Sequence, residues 1–140
     1  MKHKVSTKKL GRSSKHRKAL FNNLLRSLFL YGEITVSEAK AKQVKRWADK
    51  LIFQAKQNTI QSKRELHKFF GKRDVVNTLV EKIAPAFSDR DSGFVSIKEQ
   101  GTRRGDNTKL FKVELVNKLA NLGSFAPEKE EGKKKKNEKK

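Results

Sequence analysis

In Phe94-Val95-Ser96-Ile97-Lys98, Val95 and Ile97 alternate with Phe94, Ser96 and Lys98; in Leu110-Phe111-Lys112-Val113-Glu114-Leu115-Val116, Phe111, Val113 and Leu115 alternate with the rest. A period of two marks a strand with one buried face. Between the runs lies Gly101-Thr102-Arg103-Arg104-Gly105-Asp106-Asn107, rich in turn residues. The pair reads as a β-hairpin. Leu110 interrupts the polar side, so one edge is expected to be partly covered. Upstream, apolar residues mostly recur at helical spacing. That change of period decides the fold class. Two strands alone are marginal in water. A third, from the β-favouring Glu33-Ile34-Thr35, together with helices on one face, makes a two-layer α+β domain. The expected order is helix, short strand, three helices, two strands.

The helices follow from periodicity and their stops. Leu20, Phe21, Leu24, Leu25, Leu28 and Phe29 form one wide apolar stripe, with Ser13 or Ser14 as cap and Gly32 as stop. Thr35 and Glu38 have capping-box spacing before a long second helix. Val44, Trp47, Ala48, Leu51, Ile52 and Ala55 form its expected buried stripe, and Lys42, Lys45, Arg46, Lys50 and Lys56 crowd the other side. Ser62-x-x-Glu65 reads as the box opening a third helix through Leu66, Phe69 and Phe70 to Gly71. Asp74 is the expected cap of a fourth, carrying Val75, Val76, Leu79, Val80 and Ile83 and ending at Pro85. Leu119, Leu122 and Phe125 would extend the domain by a short turn. From Glu128 the chain is Lys/Glu low complexity.

Charge divides the chain in the same places. Of 140 residues, 35 are Lys or Arg and 15 are Asp or Glu, a net charge of +20. Residues 1–32 hold nine cations and no acid, whereas residues 33–116 hold 18 cations and 11 acids. Three regions follow: an extended basic arm over 1–13, an α+β domain over 14–117, and a Lys/Glu-rich tail over 118–140, mostly disordered. An acid-free segment cannot bury itself and repels itself, so it calls for a polyanion. Nucleic acid leads, with an anionic membrane surface as rival. No apolar run approaches the roughly 18–20 residues of a membrane-spanning helix. With no Cys, disulfides and thiolate metal sites are excluded.

Enzymatic constellations are missing from the sequence. His3, His16 and His67 are far apart, and there is neither a His-x-x-x-His pair nor a Gly-x-x-x-x-Gly-Lys loop. The acids sit beside Lys or at helix starts, where matching the helix dipole explains them. No catalysis, cofactor, metal or small-molecule substrate is expected. The candidate contacts are instead cations among small hydrogen-bonding residues, which let a backbone approach phosphates. In the arm these are Lys2, His3, Lys4, Lys8, Lys9 and Arg12. At the first helix they are Ser13, Ser14, Lys15, His16, Arg17 and Lys18, then Asn22 and Arg26. Lys40, Lys42 and Arg46 of the second helix and Arg103-Arg104 at the hairpin tip complete the set. Few aromatics fall on the expected polar faces, which argues against a single-strand stacking platform. No helix-turn-helix, zinc finger, RNP motif or KH loop is present. Phosphate and shape recognition of a folded, duplex-rich RNA remains. The alternative is a histone-like nucleic-acid-compacting protein.

Several motifs in register carry a resemblance. Lys9-Leu10-Gly11-Arg12-Ser13-Ser14-Lys15-His16-Arg17-Lys18-Ala19-Leu20 resembles the N-terminal signature of the bacterial large-subunit ribosomal protein seventeen family. Ile34 to Lys42, Asp49-Lys50-Leu51-Ile52, Ile83-Ala84-Pro85, Asp89-Arg90, Gly93-Phe94 and Thr102-Arg103-Arg104-Gly105-Asp106 are similar to its later motifs. The resemblance covers residues 1–116 and leaves 117–140 outside. It implies an α+β structural protein of the large ribosomal subunit, located in the cytoplasm within the ribosome. It also implies large-subunit ribosomal RNA and neighbouring large-subunit proteins as partners, and neither catalysis nor a membrane.

Overall fold

The first helix, α1 (Ser14–Tyr31), turns Phe21, Leu25, Leu28 and Phe29 inward, one side of the expected stripe, with Leu20 and Leu24 at its less buried edge. Gly32 ends it in the left-handed region at φ 81°, donating its N–H to the Leu28 carbonyl. A side chain there would be strained, and its Cβ would sit 3.1 Å from Leu122. The chain turns directly into β1 (Glu33–Ser37), then α2 (Glu38–Lys56), α3 (Ile60–Phe70) and a helical segment from Arg73 to Ala86. The sheet closes with β2 (Val95–Thr102) and β3 (Lys109–Leu115). The computed structural model describes residues 8–117 together with Leu119 and Leu122. The fold is α+β, as the change of period implies.

The three strands are antiparallel in the order β1-β3-β2, so the last strand in sequence is central in space. Val113 lies opposite Ile34 on one side and Ile97 on the other. This register puts Val95, Ile97, Val113, Leu115, Ile34 and Val36 on one face, where the helical layer covers them. The open face carries Glu33, Lys112, Glu114 and Lys98. There Lys112 bridges Glu33 at 2.8 Å, Lys98 pairs with Glu114, and Ser96 donates to Glu114 at 3.2 Å. Lys98 and Ser96 hold the Glu114 carboxyl below its usual range, and Glu33 holds Lys112 above its own. A bulge at Gln100 interrupts the β2–β3 register, and Thr35 donates to the Gln100 side chain at 2.8 Å. That bond spans the central strand and links its two neighbours.

Strand and cap boundaries differ from expectation. β1 runs on to Ser37, because Val36 pairs with Phe111 and Ser37 with Leu110; Thr35 is thus a strand residue, not a cap. Ser37 occupies the cap position of α2 with no side-chain bond. At α3 the cap is Thr59, not Ser62. Its hydroxyl accepts the Ser62 N–H at 3.1 Å, and the Ser62 hydroxyl returns a bond to the Thr59 carbonyl at 2.8 Å. Ser62 thus bonds back to the cap residue's carbonyl, not to its N–H as a capping box would, and Glu65 takes no part in the cap, accepting instead from Gln61 at 3.0 Å. Asp74 lies inside the first turn of α4 (Arg73–Asn77), whose cap position is Lys72. Pro85 does not end that segment. Thr78–Ile83 widens into π-helix and α5 (Ala84–Ala86) carries the helical segment one residue past Pro85.

Packing also corrects one face. Trp47 is 37% exposed, although its spacing placed it in the core, and Ala41 is buried in its stead. Trp47 lies at the margin of the α2 stripe, beside α3 rather than under it, and stacks on Phe69. Leu122 is buried and Leu119 packs against the core, so the core reaches past β3, in line with the expectation that these residues extend the domain. The expected disorder from Glu128 lies outside the described residues, as does Phe125.

Each fully buried large apolar side chain is worth about 1.5–3 kcal/mol over exposure. Phe29 is fully buried and meets Phe70 edge-on at 5.9 Å, whereas Phe53 is 48% exposed. Phe29→Ala should therefore lower unfolding free energy by about 3–5 kcal/mol. Phe53→Ala should stay within about 0.5 kcal/mol. Urea denaturation of the two variants checks the assignment of faces.

Candidate nucleic-acid interface

The basic segment does not simply extend into α1. Leu10 and Gly11 both adopt positive φ, 53° and 61°, and the Arg12 N–H bonds back to the Lys9 carbonyl at 3.2 Å. Residues 9–12 thus form a tight left-handed turn where an extended arm was expected. Two arginines hold it. Arg17 Nη1 donates to the Arg12 carbonyl at 3.0 Å and the Lys9 carbonyl at 3.4 Å, and Arg12 Nη1 donates to the Leu10 carbonyl at 2.9 Å. Leu10, partly buried against the core, anchors the turn. Arg12 and Arg17 are therefore partly engaged in shape. Lys8, Lys9, Lys15, His16 and Lys18 are exposed, and the side chains of Lys9, Lys15, His16 and Lys18 have no hydrogen-bond or ion-pair partner among the described residues. Ser13 occupies the α1 cap position, but its hydroxyl makes no capping bond, and the first turn holds no acid. The positive end of the helix dipole thus opens into the basic segment. Lys2, His3 and Lys4 lie outside the described residues.

Three elements converge near Glu38. Its carboxyl is held below the usual range chiefly by hydrogen bonding and charge from Lys42, then by Lys109 and Lys8. Lys8 before the turn, Lys42 of α2 and Lys109 at the loop end of the hairpin therefore all act on this one acid. Lys42 is ion-paired there, while Arg46 lies exposed further along α2. At the hairpin tip Arg103 and Arg104 diverge. Arg103 Nε donates to Asp106 at 3.1 Å, and its N–H bonds the Thr108 carbonyl at 2.8 Å. Arg104 is exposed and has no partner among the described residues. Arg103 shapes the tip and Arg104 is the cation it displays.

Other candidates are turned toward the fold. Asn22 Nδ2 donates to the Phe69 carbonyl at 2.6 Å and so braces α1 against α3. Arg26 is half-buried on α1, and its Nε has no hydrogen-bond partner among the described residues. Lys56, expected among the outward cations, reaches the Ser88 carbonyl at 3.3 Å and Asp91 at 3.2 Å, and also bonds the Arg90 carbonyl. It fastens the loop before β2. Asp49 accepts the Phe94 N–H at 3.1 Å, and burial pushes its carboxyl above the usual range. Sequence reasoning missed this acid, whose spacing on α2 gives no hint of a partner 45 residues away. Among the described residues no group of three or more His, Cys, Asp or Glu could hold a metal ion, and no helix is long and apolar enough to cross a membrane.

Helices layered on a three-stranded antiparallel sheet, with many cations displayed on the surface, define a small basic α+β module. A family model described as ribosomal protein L17 matches residues 20–116. The large ribosomal subunit protein bL17 of Borrelia hermsii is 42% identical over 118 residues, covering 84% of this chain and 96% of that protein. Those of Finegoldia magna, 42% over 112 residues, and Anaeromyxobacter dehalogenans, 39% over 131 residues, cover 80% and 94% of this chain and 86% and 79% of their own lengths. The chain belongs to the ribosomal protein L17 family.

The hairpin tip gives a pH signature. Arg103 first, then Thr108, holds the Asp106 carboxyl far below the usual range. A depressed carboxyl favours its bonded form above the ordinary value and loses it only as pH falls through the lowered one. The Arg103–Asp106 pair should therefore outlast the ordinary titration of Asp, near pH ~4. Carboxyl carbon shifts followed by NMR should show Asp106 titrating last among the aspartates, and Arg103→Ala should move it back toward the ordinary range, with the Thr108 bonds holding it partly below.

Proposed function

We propose that this chain is a structural protein of the large ribosomal subunit that binds and stabilises folded large-subunit ribosomal RNA. The observation that carries the reading is the family match over residues 20–116. The surface supports its finer part. Lys9, Lys15, Lys18, Arg46 and Arg104 have no hydrogen-bond or ion-pair partner among the described residues, while neighbouring acids are engaged within the domain. Such cations replace condensed counterions on RNA and let its helices approach one another. The rigid turn at Lys9–Arg12 and the Arg103–Asp106 tip fix where those charges stand. The role is architectural, and neighbouring large-subunit proteins are the remaining partners.

Engaging about 6–10 phosphates would cost roughly 10³–10⁵ in affinity between about 50 and 200 mM salt. Filter binding of deproteinised large-subunit RNA across that range should show this slope. Arg104→Ala should flatten it by about one unit, and Arg46→Ala likewise, with melting temperatures unchanged. Binding that barely responds to salt would overturn the electrostatic account. Equal affinity for plain duplex DNA would favour the histone-like alternative.

A further inference from the structure

A line of aromatic rings runs from the core to the surface. Phe29 meets Phe70 edge-on at 5.9 Å, Phe70 meets Phe69 edge-on at 4.9 Å, and Phe69 stacks on Trp47 at 5.6 Å with 24° between planes. Asn22 grips the backbone of Phe69 from behind. Trp47 is thus seated on a fixed support while 37% of it stays exposed. Its surroundings are cationic. Lys50, one turn on, holds its ammonium 5.9 Å from the indole centroid, and Arg46 is exposed beside it. Phe53, 48% exposed, continues the same outer side of α2. The one acid in this stretch, Asp49, is bonded to the backbone of Phe94.

A large aromatic held rigid, half-exposed and flanked by unneutralised cations suits a π-faced anion better than a plain duplex. Duplex RNA offers phosphates but keeps its base faces stacked inside, whereas an unpaired nucleotide offers both. We propose that Trp47 is a stacking platform for an unpaired RNA base, with Lys50 and Arg46 taking the flanking phosphates. The assignment rests on the RNA-binding reading above and adds to it a recognition element for a bulged or looped nucleotide. Lys50 now lies over the ring and moves to a phosphate when the base arrives.

Trp47 is the only tryptophan in the chain, so its emission reports on this site in the unaltered protein. Titration with a short oligoadenylate should quench it saturably. A fully paired RNA duplex of equal length, at equal phosphate concentration, should leave it nearly unchanged. Trp47→Leu should weaken oligoadenylate binding roughly 5- to 150-fold, the range found for losing one base-stacking aromatic. Trp47→Phe should retain most of the affinity, and duplex binding should follow neither change. Circular-dichroism melts establish that both variants fold, and the quenching arm needs no variant. Deproteinised large-subunit RNA, read by filter binding, is the third probe. If that RNA binds while oligoadenylate and duplex quench alike or not at all, stacking is overturned and the RNA-binding reading stands. Wild-type affinity for oligoadenylate in Trp47→Leu has the same meaning. If no RNA binds the unaltered protein, both readings fall.

Discussion

A small domain that carries a large excess of one charge must keep that charge from pulling it apart. The constraint is severe, because net stability in such domains is only about 5–15 kcal/mol. Here most of the acids answer it by turning to partners within the fold. Glu33 and Glu114 neutralise Lys112 and Lys98 on the open sheet face. Asp49 ties α2 to the start of β2, Asp91 meets Lys56, and Asp106 shapes the hairpin tip. Exposed pairs of this kind are worth little in stability, at most about 1 kcal/mol each. Their effect is on distribution. The acids are drawn into the sheet face and loop bases, and exposed cations are left on the turn, the outer side of α2, α3 and the start of α4, and the tip.

Cohesion comes instead from the apolar interior, which both layers supply. α1 and α2 cross the helix-covered face of the sheet, with Leu25, Leu28, Phe29, Val44, Ala48 and Ile52 fully buried. The two lysines that serve as fasteners, Lys56 and Lys112, do so on opposite layers. A chain with only 34% apolar residues nevertheless has a continuous core. The apolar residues are concentrated in the part that folds.

Much of this architecture is legible in the order of the residues. Alternation at 95–98 and 110–116 identifies the hairpin, and the stripe at Phe21, Leu25, Leu28 and Phe29 identifies α1. Gly32 marks its end because only glycine takes that backbone conformation easily. What escapes sequence reasoning is what depends on partners distant in the chain. Trp47 sits at the stripe margin, where helical spacing cannot tell core from rim and the position of Phe69 decides. Thr35 is drawn from cap to strand by pairing with β3. Asn22 looks like a surface amide until Phe69 is placed beside it. Of the candidate contacts, the sequence points to cations, but it cannot say which are engaged. Arg103 and Arg104 are neighbours of one chemistry with different surroundings, and Asp106 makes the difference. The left-handed Leu10 is a further case, since a leucine in that region is uncommon and no local rule announces it.

The central place of β3 has a consequence for how the chain comes to be folded. β1 is made early, yet among the described residues its only neighbour in the sheet is β3, the last described strand. During synthesis, at about 5–20 residues per second, β1 emerges several seconds before β3 can pair with it. In that interval the helices can assemble through contacts close in sequence, while the apolar side of β1 has no sheet to join. β2 is equally without a neighbour until the hairpin turns. Sheet formation is thereby a single late event, in which β3 enters between two waiting strands and completes both ladders at once. Non-local pairing of this kind slows folding. It also gives the nascent chain a checkpoint. A chain cut short before Lys109 has its full complement of N-terminal cations but no sheet at all, so completeness of the sheet reports completeness of the domain.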